Sequence, residues 1–326
     1  MHDRIGITTT VPVEIIYAAG CVPVDLNNVF ITDDNPQSMI EDAELAGYPR
    51  NLCSWIKGIY TTVVRDRDIK SVVAVTQGDC SNTHALMETL HLEGIKIIPF
   101  AYPYDRDKDM LKLQVEKMMQ VFGVKWSEVN KTKKALDRVR ALVHQIDDLT
   151  WQDNRVRGFD NHLWQVCCSD FNGEPKKFGQ EAEKFLQGLA GAPVVDAPIR
   201  IGYIGVPPIM TDIYDYLETR GARVVYNETQ RQFSMPFDTN DIVEQYSQYT
   251  YPYDIFRRLE DISREIERRS IHGIIHYAQS FCYRQIQDLI IRRKLKVPVL
   301  TIEGDRPLHL DARTKMRIDA FVEMLK

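Results

Sequence analysis

Short apolar runs alternate along the chain with stretches in which apolar residues recur every three or four positions. SVVAVT (71–76) is apolar and rich in β-branched residues, which predicts a strand, and THALMETLHLEG (83–94) has helical spacing. QGDCSN (77–82) is the turn between them. IKIIPF (95–100), with Pro99 near its end, predicts another strand, while VEIIYAAG (13–20) and VPVDL (22–26) predict a helix followed by a strand. Strands that alternate with helices pair in parallel through crossover connections. From Asp105 to about Leu189 the pattern turns charged and helical, as expected of connecting and covering helices. Alternation resumes with strands at IRIGYIG (199–205), ARVVYNE (222–228), IHGIIHY (271–277) and VPVLTIEG (297–304). Between them lie helical patterns at 211–221, near 255–270 and at 283–294. The expected fold is α/β, with two doubly wound parallel-sheet domains and helical connectors, assigned to 1–150 and 151–326. No Gly/Ser-rich linker marks the boundary. RTKMRIDAFVEML (313–325) is amphipathic, with Ile318, Phe321, Val322 and Leu325 on one face that should pack.

At 326 residues the chain has room for two domains of ordinary size, and 44% hydrophobic with 27% charged residues is a globular composition. Disordered and fibrous classes are thereby excluded. A formal charge of −5 argues against a nucleic-acid partner, which would favour a basic domain. The first twenty residues lack the basic, apolar and small-residue regions of a secretory signal, and no 18 apolar residues run together. The expected location is the cytoplasm, away from membranes. In that compartment the six cysteines (Cys21, Cys53, Cys80, Cys167, Cys168 and Cys282) read as thiols, metal ligands or core residues rather than as a disulfide framework.

Three of them share a position. Cys53 precedes a helix expected to begin at Ser54 or Trp55, Cys80 follows the 71–76 strand, and Cys282 follows the 271–277 strand. In open α/β sheets the carboxyl ends of the strands form the ligand-binding edge, and a thiol at a helix N-terminus sits in the positive end of the helix dipole. A buried cysteine is also an ordinary small apolar residue, and the chain contains no C-x-x-C. Any metal site must therefore be assembled by the fold.

In order along the chain, TTTVPVEIIYAAGCVPVDLNN (8–28), PRNLCSWIKG (49–58), QGDCSNTHAL (77–86), HYAQSFCYRQIQD (276–288), VPVLTIEGD (297–305) and TKMRIDAFVEML (314–325) resemble the 2-hydroxyacyl-CoA dehydratase D-component family. That family includes the benzoyl-CoA reductase B and C subunits and the double-cubane cluster proteins. The resemblance implies an iron–sulfur cluster in an interdomain cleft, a 4Fe-4S cubane held by Cys53, Cys80 and Cys282. It further implies one-electron delivery from an ATP-hydrolysing iron–sulfur activator protein, formation of a ketyl radical anion from an acyl-CoA thioester, and loss of the 2-hydroxyl; the related reductases use a similar low-potential delivery. Relatives work as pairs, so a homodimer or a heterodimer with a homologous subunit is expected. The chain begins almost directly at its VPVE helix, so the helical N-terminal extension of many relatives is expected to be short or missing.

Six cysteines match the number expected for an 8Fe-9S double cubane, the alternative cofactor, used in ATP-dependent reduction of small molecules. A second alternative is a non-catalytic iron–sulfur carrier or maturation protein. Adjacent cysteines on a helix rarely face the same way, so at most one of Cys167 and Cys168 would face a given site, and Cys21, Cys167 and Cys168 are all read as non-ligands. Ser54, Ser81, Asn82, Gln279 and Ser280 are polar neighbours suited to bonding cluster sulfurs or to capping helices. His276, ending its strand six residues before Cys282, is a candidate proton donor or a satisfied strand-end histidine. Glu14 is read as a favourable charge at a helix start. GYIGVP (202–207) lacks a full dinucleotide fingerprint and no phosphate-binding loop occurs, so ATP hydrolysis is expected of another protein. The 255–270 helix alternates charge sign and is read as a solvated face.

Overall fold

A computed structural model describes residues 2–189, 191, 193–210 and 212–326. Among these residues the strands form two four-stranded sheets, ordered β2-β1-β3-β4 and β6-β5-β7-β8. The first contains β1 (Arg4–Ile7), β2 (Val22–Asp25), β3 (Ile69–Gln77) and β4 (Lys96–Ala101). The second contains β5 (Ile199–Gly205), β6 (Ala222–Asn227), β7 (Gly273–Gln279) and β8 (Val299–Gly304). Every pairing is parallel.

In each sheet the chain leaves the first strand for an outer neighbour and then crosses back past it to the third. This reversal makes a topological switch point between β1 and β3, and another between β5 and β7. The β7 segment GIIHYAQ is buried along its whole length, as a central parallel strand covered on both faces should be. β1 was not anticipated: RIGI is four residues long and carries an arginine and a glycine, too little for a period to show. The helical reading at 211–221 starts on Thr211, which lies outside the described residues; the helix itself is Ile213–Thr219.

The chain divides into two compact units assembled from separated segments. Unit 1 is Met1–Ala141, Cys167–Gly179 and Met235–Asp254, and unit 2 is Leu142–Val166, Gln180–Ser234 and Ile255–Lys326. The helix Trp126–Trp151 thus begins in one unit and ends in the other.

In unit 1, Glu14 is fully buried and paired with Arg140 at 2.8 Å, and it also accepts from Tyr246 and Gln245, each at 2.9 Å. Its role therefore exceeds a charge at a helix start: it ties the first helix to the 235–254 segment. In unit 2 the helix Ile255–Arg268 buries Arg258, Asp261 and Glu265. The fully buried Arg269 that follows it bonds Asp147 at 2.6 and 2.9 Å and Glu265 at 2.6 Å. The solvated-face reading holds for the exposed Arg257, Glu260 and Arg264, but Arg258, Asp261 and Glu265 correct it on the other side of the helix, where the alternating signs mark paired charges inside the unit. No helix among the described residues is long and apolar enough to cross a membrane.

Candidate functional site

β3 and β7 hold the same place in their sheets, and each ends on a glutamine with a cysteine three residues on. The matching turns are Gln77-Gly78-Asp79-Cys80 and Gln279-Ser280-Phe281-Cys282. In the first, Gly78 has φ +99°, and a Cβ there would lie 2.7 Å from Pro252 Cβ, so the turn requires glycine. The Cys80 carbonyl accepts the Thr83 N–H at 3.1 Å as the helix Thr83–Leu92 begins. In the second, the Cys282 N–H donates to the Gln279 carbonyl at 3.1 Å, and the Cys282 carbonyl accepts from Gln285 N–H at 3.1 Å. Cys282 caps the 3-10 helix Tyr283–Gln287.

Cys53 occupies the N-cap of Ser54–Arg65, where the sequence reading places it. Behind it, the buried Lys57 ammonium donates to Glu44 at 2.8 Å and to the Arg50 carbonyl at 3.0 Å, fixing the loop before the cysteine. Cys53 lies in an apolar cluster with Ile56, Ala74 and Leu86, and half-buried Cys80 packs against the same cluster. Cys53 and Cys80 belong to unit 1 and Cys282 to unit 2. Among the described residues no three His, Cys, Asp or Glu side chains are gathered as ligands for a single metal ion. The donor chemistry nevertheless suits an iron–sulfur cluster: backbone N–H groups at the starts of helical segments favour thiolate charge.

The polar neighbours have defined tasks. Gln279 donates to the Asp305 carbonyl at 3.0 Å and accepts from the Tyr277 hydroxyl at 2.7 Å. Ser280 donates its backbone N–H to the Gly304 carbonyl at 2.8 Å, joining the turn to β8, and its hydroxyl lies 3.4 Å from Glu303. Asn82 stands at an N-cap but makes no side-chain capping bond, and Ser54 is fully buried in the first turn of its helix. His276 is buried within β7 with its Nδ1 at 2.8 Å from Asp288, which also accepts from Thr301 at 2.5 Å and Arg292 at 2.7 Å. The hydrogen bond with His276 leads the interactions that hold Asp288 below the usual carboxylate range.

The other cysteines sit among groups that disfavour thiolate. Burial, followed by the charges of Asp170 and Asp25, pushes Cys167 up to about 12. Cys168 is raised chiefly by burial, and Cys21 by burial and Asp3.

Two features had no local signal. Asp25 and Asp170 are both buried, and the Asp25 N–H donates to Asp170 at 2.7 Å. Burial and the Asp25 charge push Asp170 up to about 7. In unit 2, a cleft of about 450 Å³ opens at the carboxyl end of β8 beside the Cys282 turn, lined by Ser280, Glu303, Asp305, Arg306, Arg313 and Arg317 among others. Its residues come from three separated segments, which only folding unites.

Two four-stranded parallel sheets with switch points, and cysteine-bearing turns at the carboxyl ends of β3 and β7, define the class as a doubly wound α/β protein. The family described as 2-hydroxyglutaryl-CoA dehydratase, D-component, matches residues 8–325, and the chain belongs to it. A comparison with curated proteins found no match.

Proposed function

We propose that the chain is the iron–sulfur subunit of an enzyme of the 2-hydroxyacyl-CoA dehydratase and benzoyl-CoA reductase type, with Cys53, Cys80 and Cys282 as thiolate ligands of a 4Fe-4S cluster. The observation that carries this reading is the pair of matching turns after β3 and β7, in a chain of the D-component family. When bound, a cubane held by three thiolates supplies an iron with an open coordination position and a path for low-potential electrons.

The chain's own residues place the sulfurs and the substrate. Cys53 and Cys282 hold the N-cap positions of helical segments, whose dipole favours thiolate, Lys57 holds the loop before Cys53, and Gln279 with Ser280 ties the Cys282 turn to the end of β8. Arg306, Arg313 and Arg317 in the neighbouring cleft offer guanidinium groups to the phosphates of an acyl-CoA. Electrons come from an ATP-hydrolysing iron–sulfur activator, and the subunit pairs with a homologous subunit or with its own copy. His276, engaged by Asp288, acts as a structural residue of β7.

Anaerobic purification with iron and acid-labile sulfide analysis tests this reading. The expected content is about four irons per chain, as for a single cubane. A colourless protein with zinc or no metal overturns it, and roughly eight irons would instead support the double cubane. Turnover of an acyl-CoA in the presence of the activator separates an enzyme subunit from an electron carrier.

A further inference from the structure

The turn that presents Cys282 holds a residue its backbone does not favour. The hydrogen bond from Cys282 N–H to the Gln279 carbonyl closes a four-residue turn, and Phe281, third in it, has φ +63°. This is the position that glycine fills in a type II turn, because a Cβ is disfavoured at positive φ. The chain meets the same need with glycine in the matching turn, at Gly78, one position earlier relative to the strand end. Burial does not repay the strain, since Phe281 remains 49% exposed. The surrounding hydrogen bonds impose it: Ser280 N–H to Gly304, Gln279 to Asp305, and Gln285 to the Gln279 carbonyl at 2.8 Å. Tyr283, Ile286 and Leu289 continue an exposed apolar surface along the same segment. A bulky residue kept in a glycine position, outside the core and next to a half-buried cysteine, belongs to the group of strained residues that serve a site.

We propose that Phe281 is a positioning residue for Cys282: its left-handed backbone sets the cysteine at the end of the turn, and its ring shields the sulfur, and any group bound there, from water. The shielding of a bound group rests on the cluster reading above, whereas the shielding of the thiol does not.

Phe281→Gly and Phe281→Asn both accept the positive φ and remove the ring, and Phe281→Leu keeps apolar bulk at the same backbone. Full-length metal-free protein is alkylated with iodoacetamide under reducing conditions, and Cys282 modification is followed by peptide mass spectrometry relative to Cys21 in the same sample. The Gly and Asn variants should match or exceed the wild-type melting temperature while alkylating Cys282 several-fold faster, with the Leu variant close to wild type. In anaerobically purified protein the Gly variant should lose iron to a chelator faster. An unchanged Cys282 to Cys21 ratio in both ring-less variants overturns the proposal. So does a melting temperature lowered in both, which would assign the ring to folding. Because the alkylation arm needs no metal, a protein without iron refutes the proposed function and leaves this inference to its own result.

Discussion

At the scale of single residues, the cysteines divide by surroundings. Cys53 and Cys282 stand at the N-caps of helical segments and Cys80 in the turn three residues before one, whereas burial and nearby carboxylates keep Cys167 protonated well above neutral pH. Replacing Cys53, Cys80 or Cys282 with Ala should each remove most of the bound iron, while Cys21→Ala and Cys167→Ala should keep it; iron per chain after anaerobic purification decides the matter. Asp170 gives a pH signature. Its folded-state pKa of about 7 lies above the unfolded value of about 3.9, so the folded state binds the extra proton between them. The stability it contributes is fully present below the unfolded pKa and is lost as pH rises through about 7. Buried His162, held down at about 4 by desolvation, works in the opposite direction, its stability being lost as pH falls. Burial raises the neighbouring Asp25 as well, so the difference in melting temperature between wild type and Asp170→Asn reads the pair of carboxyls: wild type should lose stability relative to the variant from pH 5 to 7.5. A difference that stays constant with pH would show that Asp170 does not titrate there.

At the scale of elements, the helix Ile255–Arg268 shows how charge is used inside unit 2. Burial alone would raise Asp147, but Arg269 and Arg231 outweigh it and hold its pKa below the usual value. The same two arginines lower Glu265. Removing Arg269 leaves two buried carboxylates without their main partner, so Arg269→Ala should cost about 3–5 kcal/mol. Arg264 also pairs with Asp261, but its side chain is 63% exposed, and Arg264→Ala should cost about 0–1 kcal/mol. Denaturant unfolding of the two variants measures the contrast, and equal costs would overturn the account of a buried network. The periodicity of this helix was readable in the sequence, but its orientation was not. Alternating charge describes a solvated face and an internally paired one equally well, and the partners Asp147 and Arg231 lie far away in the chain.

At the scale of the whole molecule, the proposed function makes electron delivery conditional on a second protein. Under that proposal the driving force comes from an activator whose complexes differ in their interaction with ATP. Oxidised protein mixed with activator and a strong reductant should therefore show a reduced-cluster signal by electron paramagnetic resonance with ATP and little without it. Equal reduction in both samples would mark an ordinary electron carrier.

What the sequence by itself determined was local. Apolar runs such as 71–76 and 199–205, helical spacing such as 83–94, and the junction positions of Cys53, Cys80 and Cys282 depend on neighbours a few residues away, and each is visible in a short window. The family was legible as well, because its motifs are spread in order over nearly the whole chain. Tertiary structure decided what depends on distant partners. It made a strand of Arg4–Ile7 by pairing it on both sides with β2 and β3, returned 235–254 to the N-terminal unit, and buried Glu14 against Arg140. It also forced Phe281 into a glycine's conformation through bonds to β8 and to Gln285. A local pattern records which face of an element is apolar, but the energy of a buried charge or a strained turn is set by groups that only the folded chain brings beside it.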